Sequence, residues 1–326
     1  MNALRFFSAW GRILTGQPPM LSIEITRECP LRCPGCYAYE DQHLGGAVTL
    51  RQLRDFRGDA LVDGVLRLVR QRRPVHLSLV GGEPLVRHRE LGRILPELSA
   101  MRVETLVVTS GVIPIPPEWN ALRHIRIAVS VDGLQPDHDQ RRTPATYDRI
   151  LGNIAGRRVD LSWVITRPQL ERPGYLDEYL AFWSARPEIA RIWLSLYTPQ
   201  VGEQSPEMIT AHQRRTLISE LPRLSERYPA LLMTPGIAEA FATPPANPDQ
   251  CVFSRMSVNY SADLKTRVQP CFFGGEPDCR QCGCAVTAGL HWIGRKRVLG
   301  PVRLKHLMES SIAIGNLMPH AESSRM

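Results

Sequence analysis

Lysine is almost missing from this chain of 326 residues. Only Lys265, Lys296 and Lys305 stand among its 40 basic residues, so arginines scattered along the sequence supply the net charge of +8. Scattered arginine is not the electrostatic stripe of a nucleic-acid binder, and no nucleic-acid partner is expected. No stretch approaches the ~20 consecutive apolar residues that a membrane-spanning helix needs. Low-complexity tracts are absent too, and with 43% apolar and 22% charged residues the composition is globular. The opening segment MNALRFFSAWGRILTG does not read as a secretory signal, because its apolar run is short and Arg12 interrupts it. Without such a signal, eight cysteines imply a reducing, cytoplasmic setting, where clustered thiols bind metal or do redox work.

The same opening segment reads as an amphipathic helix over residues 1–18, with Leu4, Phe7, Trp10 and Leu14 on one face. Such a helix either packs on the domain or lies on a membrane surface, where one-sided aromatics and arginine are suited. The densest basic stretch, GRKRVLGPVRLKH at 294–306, reads as a solvated tail.

Between these ends, short apolar runs alternate with helical patterns. Strands are expected at 21–25, 75–80, 104–111, 124–133, 160–166 and 191–198. Helices are expected at 49–72, 90–100, 146–158, 175–186 and about 206–228. Strand-helix units in succession specify an α/β fold with a parallel sheet, either open or a partial barrel. Functional loops in such folds gather at the strand C-termini. The proline-rich segment 234–250 reads as a linker. The expected organisation is therefore an N-terminal helix (1–18), an α/β domain (19–235), and a cysteine-rich module with tail (236–326).

The loop after the first strand reads ECPLRCPGCY and holds Cys29, Cys33 and Cys36. A disulfide uses two thiols and a closed structural metal site uses four ligands. Three thiolates on a four-iron cluster leave one iron open to a small molecule. The second strand ends at Gly81-Gly82-Glu83-Pro84. Two glycines let a backbone approach a ligand closely, and a carboxylate can accept a hydrogen bond from an ammonium group. A second GGEP at 274–277 follows no convincing strand and reads as loop sequence. Five more cysteines, Cys251, Cys271, Cys279, Cys282 and Cys284, fall within 34 residues and could hold a cluster or zinc.

Cys29-x3-Cys33-x2-Cys36 followed by Tyr37, with Gly81-Gly82-Glu83-Pro84 after the second strand, resembles the signature of the radical S-adenosylmethionine (SAM) superfamily. The resemblance spans about residues 20–284. It implies an incomplete (β/α)6 barrel in which Cys29, Cys33 and Cys36 hold a catalytic [4Fe–4S] cluster. A reduced cluster of this kind splits SAM to a 5′-deoxyadenosyl radical that abstracts hydrogen from substrate. Gly81, Gly82 and Glu83 would bind the SAM amino group, and Tyr37 would lie near its adenine or beside the cluster. SVDGLQPDHDQRR at 130–142 resembles the peptide-modifying and sulfatase-maturing branch. It would give Ser130 and Arg142 to SAM, with Asp132 beside them and Arg141 as a rival to Arg142. The alternative for Ser130 and Asp132 is turn and cap chemistry. Thr109-Ser110-Gly111 resembles that branch's TNG-like turn.

The stretch from Cys251 onward resembles the twitch or SPASM modules of such enzymes. It implies one auxiliary [4Fe–4S] cluster, on Cys251, Cys271, Cys279 and Cys282, with Cys284 left over or displacing Cys279 or Cys282. A flavodoxin, ferredoxin or reductase would be the electron donor. The substrate stays open between a peptide or small molecule and, if the N-terminal helix meets a membrane, a lipid or terpenoid. A non-catalytic iron–sulfur or zinc protein is the reading outside enzymology.

Overall fold

The computed structural model describes residues 10–144 and 146–317. Seven strands form one sheet: β1 (Met20–Glu24), β2 (His76–Val80), β3 (Glu104–Thr109), β4 (Ile125–Ser130), β5 (Val159–Ile165), β6 (Ile189–Leu196) and β7 (Ser257–Tyr260). Their order is β6-β5-β4-β3-β2-β1-β7, and every pairing is parallel. The sheet does not close, since β6 and β7 are its two edges. This is the expected incomplete α/β barrel, with one strand more than the six βα units. The addition, β7, comes from the cysteine-rich C-terminal segment and lies in register beside β1, Leu21 opposite Val258.

Period-two alternation divides the sheet into two unlike faces. Leu21, Ile23, Leu77, Leu79, Val107, Ile127, Val129, Leu161 and Trp163 are buried on one face. The helices Gly58–Arg72, His88–Ala100 and Tyr175–Ser184 cover that face with Val65, Leu91, Ile94, Tyr179 and Trp183. The other face is mixed: Ser22, Glu24, His76, Ser78, Arg126, Ser130, Ser162, Trp193 and Ser195 share it with Val80, Leu106, Val108 and Val164.

The helical pattern at 49–72 begins later than expected. Residues 50–52 make one 3-10 turn, and the α-helix starts at Gly58, whose φ is +55°. Asp55 is tied to Thr26 and Arg87, which holds the intervening chain extended. The β3–β4 connection contains no α-helix but a 3-10 turn at 117–121, because Pro114, Pro116 and Pro117 remove the amide donors a longer helix requires. The 234–250 segment carries a short helix at Pro235–Ala240.

The basic stretch near the C-terminus is more ordered than a tail. Arg297–Leu299 and Val302–Arg303 form an antiparallel hairpin, followed by the helix Leu304–Leu317. Met308 and Ile312 of that helix pack with Ile13 and Met256, and Trp10 lies against them. A Cβ on Gly315 would stand 2.2 Å from the Ile13 carbonyl oxygen, so glycine is what lets the two backbones meet. The described part of the N-terminal helix thus buries its apolar side on the protein. Leu4 and Phe7 lie outside the described residues.

Candidate active site

The loop from Thr26 to Glu40 leaves the C-terminal end of β1. Two devices pin it. The first is polar: the side chain of Arg87, 6% exposed, pairs with Glu28 (3.1 Å) and Asp55 (2.5 Å). Asp55 also accepts hydrogen bonds from the Thr26 hydroxyl (3.0 Å) and the Arg27 amide (3.3 Å). The second is steric. A Cβ on Gly82 would come within 2.2 Å of the Glu28 carbonyl oxygen, and one on Gly81, at φ +115°, within 2.8 Å of the Thr26 carbonyl oxygen. The Gly82 and Glu83 amides donate to those two carbonyls at 2.9 and 2.7 Å. The close approach anticipated for a ligand is thus made by the cysteine loop's own backbone.

Glu83 is fully buried. Its carboxylate accepts from the Leu85 amide (2.9 Å), the Thr109 hydroxyl (2.6 Å), the Ser110 amide (2.7 Å) and the Ser110 hydroxyl. It joins the end of β2 to the end of β3, and the Thr109-Ser110-Gly111 turn is built around it.

Cys29, Cys33 and Cys36 are all free and half-buried in this loop. Burial pushes the Cys29 thiol up to about 11, and its neighbours Glu83, Cys33 and Cys36 act in the same direction. Burial raises Cys36 as well, while the Arg142 guanidinium opposes it. Burial and neighbouring negative charge both disfavour the Cys29 thiolate, and the positive charge of a bound metal would offset them. Among the described residues no three Cys, His, Asp or Glu side chains converge as a single metal ion would require. A cluster whose thiolates sit on separate irons fits this donor set better.

Arg142 reaches the rim from the segment after β4. Its Nε donates to Asp132 (2.8 Å), and its charge interacts with Cys33. Arg141 is engaged differently: it pairs with Asp132 and grips Glu207 through two nitrogens at 2.7 and 3.0 Å. Asp132 is completely buried. Burial opposes its ionisation, but Arg142 and Arg141 outweigh it and hold the carboxyl well below its ordinary range. His138 accepts from the Asp132 amide (3.2 Å) and bonds Thr146 through Nε2 (2.9 Å). Burial lowers its pKa to about 4. Asp139 accepts from the amides of Thr146 and Tyr147. The His138-Asp139 pair is therefore the frame that holds Arg142. Ser130 is buried at the end of β4, beside Ser162 of β5.

Tyr37 turns toward the C-terminal segment. Its ring lies 5.5 Å from Phe273, 6.3 Å from Phe272 and 5.7 Å from His43, centroid to centroid. His43, buried, bonds Glu24 at 2.6 Å and the Phe273 carbonyl at 2.9 Å; Ser261 donates to the other oxygen of Glu24. Neither Glu24–His43 nor Arg87–Asp55 was among the sequence candidates. A charge inside the apolar run LSIEI was the one available signal, since a buried charge needs a partner.

All five C-terminal cysteines line one cavity together with Phe253, Pro270, Phe272 and Thr287. Burial raises Cys271 strongly and Cys282 to about 12. The second GGEP lies in this segment's loop, where Gly274 packs against His43.

Residues 23–156 match the model of the Radical SAM superfamily. Over that segment, less than half of the chain, the sequence is similar to radical SAM domains. A PqqA peptide cyclase from Granulibacter bethesdensis is 31% identical over 199 residues, 55% of this chain and 48% of that protein. One from Rhizobium meliloti is 27% identical over 172 residues, 50% of this chain and 43% of that protein. The chain thus matches less than half the length of these curated relatives. Among solved structures, anSMEcpe with bound AdoMet superposes with a TM-score of 0.57 at 14% identity, covering 90% of this chain and 84% of its own. Streptococcus suis SuiB bound to the precursor peptide SuiA gives 0.54 at 15% identity, covering 83% and 63%. At these identities the superpositions show a shared fold and nothing further.

Proposed function

We propose that the chain is a radical SAM enzyme acting on a peptide, with Cys29, Cys33 and Cys36 holding the catalytic [4Fe–4S] cluster and a second cluster in the C-terminal cavity. When loaded and reduced, the catalytic cluster supplies the electron that splits SAM to a 5′-deoxyadenosyl radical, which takes a hydrogen atom from the substrate. The observation that carries this reading is the Arg142 guanidinium facing Cys33 and Cys36, in the same loop as the free Cys29, at the C-terminal rim of the sheet.

In this reading Arg142 holds the SAM carboxylate. Asp132 fixes its Nε, and the rest of the guanidinium is left to form the fork that suits a carboxylate. Arg141 does not compete, because Glu207 and Asp132 already engage it. Ser130, at the end of β4, would contact SAM. Glu83 shapes the pocket through the β2 and β3 ends, leaving the main chain around Gly81 and Gly82 as the partner for the SAM amino group.

A peptide is favoured by the relatives, which are a peptide cyclase and an enzyme solved with a precursor peptide. Polar residues on the open face of the sheet agree: half-buried Ser78, Ser162, Trp193 and Ser195 suit a substrate with hydrogen-bonding groups. The membrane argument for a lipid weakens, because Trp10 and Ile13 pack against the helix Leu304–Leu317. No helix among the described residues is long and apolar enough to cross a membrane. The net charge of +8 suits an acidic electron donor of the flavodoxin or ferredoxin kind.

The test is 5′-deoxyadenosine formation by anaerobically reconstituted protein with SAM and a strong reductant. Product is expected, and none from the C29A/C33A/C36A variant. No product from fully reconstituted wild type would sink the enzyme reading. Transfer of deuterium from a labelled peptide into 5′-deoxyadenosine tests the substrate class.

A further inference from the structure

Five thiols share the C-terminal cavity, one more than a cubane can use. Their surroundings are not equivalent. Cys251 and Cys284 are the two buried ones, 7% and 6% exposed. They stand directly before the helices Val252–Met256 and Ala285–Gly294. Thr287 joins them: its hydroxyl lies 3.8 Å from the Cys251 sulfur and hydrogen-bonds the Cys284 side chain. Both sulfurs therefore belong to one wall.

Cys282 and Cys284 flank Gly283, which is clamped to the end of β6. The Gly283 amide donates to the Thr198 hydroxyl (2.9 Å), and its carbonyl accepts from the Leu196 amide (2.8 Å). A Cβ at Gly283 would meet the Leu196 carbonyl oxygen at 2.2 Å, so no side chain fits there. Arg214 closes the clamp by donating to the Cys282 carbonyl (2.6 Å) and the Gln281 carbonyl (2.9 Å). Cys271 comes from the opposite side, on the loop that His43 ties to β1 through Phe273. Its thiol feels the charges of Cys284, Cys282 and Cys251.

Cys279 differs. It opens the 3-10 turn Cys279–Gln281 and is the least enclosed of the five. Its thiol is engaged by a backbone group of its own turn and by no side chain of the Thr287 wall. It feels Cys251 and the adjacent Asp278 carboxylate, and it couples to Cys282.

We propose that Cys251, Cys271, Cys282 and Cys284 are the ligands of the C-terminal cluster, and that Cys279 is a non-ligating thiol at the edge of its cavity. This rests on the reading of the cavity as a cluster site. Four thiolates close the coordination, so this centre has no open iron for a substrate and serves as an electron relay or structural tie.

The test uses the C29A/C33A/C36A protein, whose remaining iron can only belong to the C-terminal site. After anaerobic reconstitution it is expected to hold about four irons and four sulfides per chain. Adding C279A should leave that content unchanged, and adding C284A should remove at least half of it. Since C284A can also unfold the cavity, alkylation of the loaded triple variant provides a second measurement. Iodoacetamide should mark Cys279 and spare the other four. Iron lost with C279A, or Cys284 alkylated while Cys279 is spared, would overturn the assignment alone. A triple variant that binds no iron at all would defeat the cluster reading and the assignment with it.

Discussion

Two cysteine regions use the same donor chemistry in opposite ways. The Cys29–Cys36 loop sits half-buried on the sheet rim, hung from outside by Arg87, Asp55 and Glu28. The C-terminal cysteines face inward to a cavity walled by proline and phenylalanine and clamped to β6. One region keeps the Arg142 guanidinium facing its thiols; in the other the guanidinium of Arg214 is turned to carbonyls. The difference teaches that cysteine count alone does not set function. What surrounds the thiols decides whether a small molecule can reach them.

The sharpest way to break this comparison is to remove the rim thiols. C29A/C33A/C36A should lose all SAM-dependent 5′-deoxyadenosine formation, falling to the no-enzyme background. Its secondary structure by circular dichroism should be retained, because the loop is held by Glu28, Asp55 and Arg87 and not by sulfur. Retained turnover would show that the rim is not where SAM is cleaved.

Next in size is Arg87→Met. It would leave the buried Asp55 carboxylate without its ion pair, and removal of one partner of a buried pair costs about 3–5 kcal/mol. Urea denaturation should show a loss of this order. The same change should lower iron content at the first site and spare the C-terminal one, as read in protein whose C-terminal cysteines are intact. Equal loss at both would mean that the two regions fold as one unit.

Arg142→Ala tests the proposed carboxylate fork. Charge-assisted hydrogen bonds contribute about 1.5–3 kcal/mol, so SAM affinity by isothermal titration should fall roughly 10- to 150-fold. Arg142→Lys should recover only part, since an ammonium cannot reproduce the planar fork. Arg141→Lys should change SAM affinity far less, because Glu207 and Asp132 take up Arg141. Reversed ranks would assign the fork to Arg141.

Much of this was legible in the sequence for physical reasons. Alternating apolar runs gave the order of β1 to β6, because each strand must bury one face against the rest of the fold. The three-cysteine loop and Gly81-Gly82-Glu83-Pro84 both fell at strand C-termini, where parallel folds place their functional loops. Three things stayed hidden. The pairing of β7 with β1 joins residues far apart in the chain, and SVNY alone is too short to signal an edge strand. The choice between Arg141 and Arg142 depends on Glu207, which only the fold brings near. The inequivalence of Cys279 and Cys284 depends on Thr287 and Thr198, neither of which carries a local signal.

The smallest expected effect separates the two regions by pH. His138 supports Asp132 and Arg142 at the rim, and burial lowers its pKa to about 4 from an ordinary value near 6.5. The folded protein keeps it neutral while the unfolded chain takes up a proton below 6.5. Its contribution is thus present above pH 6.5 and lost as pH falls toward 4. The loss is about 1–3 kcal/mol at the acid end. His43, which ties β1 to the Cys271 loop, works the other way. Burial lowers its pKa, but the bond and charge of Glu24 outweigh burial and raise it. Its contribution is present below about 6.5 and fades as pH rises through the raised value. Acid should therefore loosen the rim while the tie between the regions holds. Urea midpoints at pH 7.5, 6 and 5 measure the slope, and His138→Asn should flatten it relative to wild type. An unchanged slope in that variant would move the acid sensitivity elsewhere, His76 being the other histidine that burial lowers to about 4.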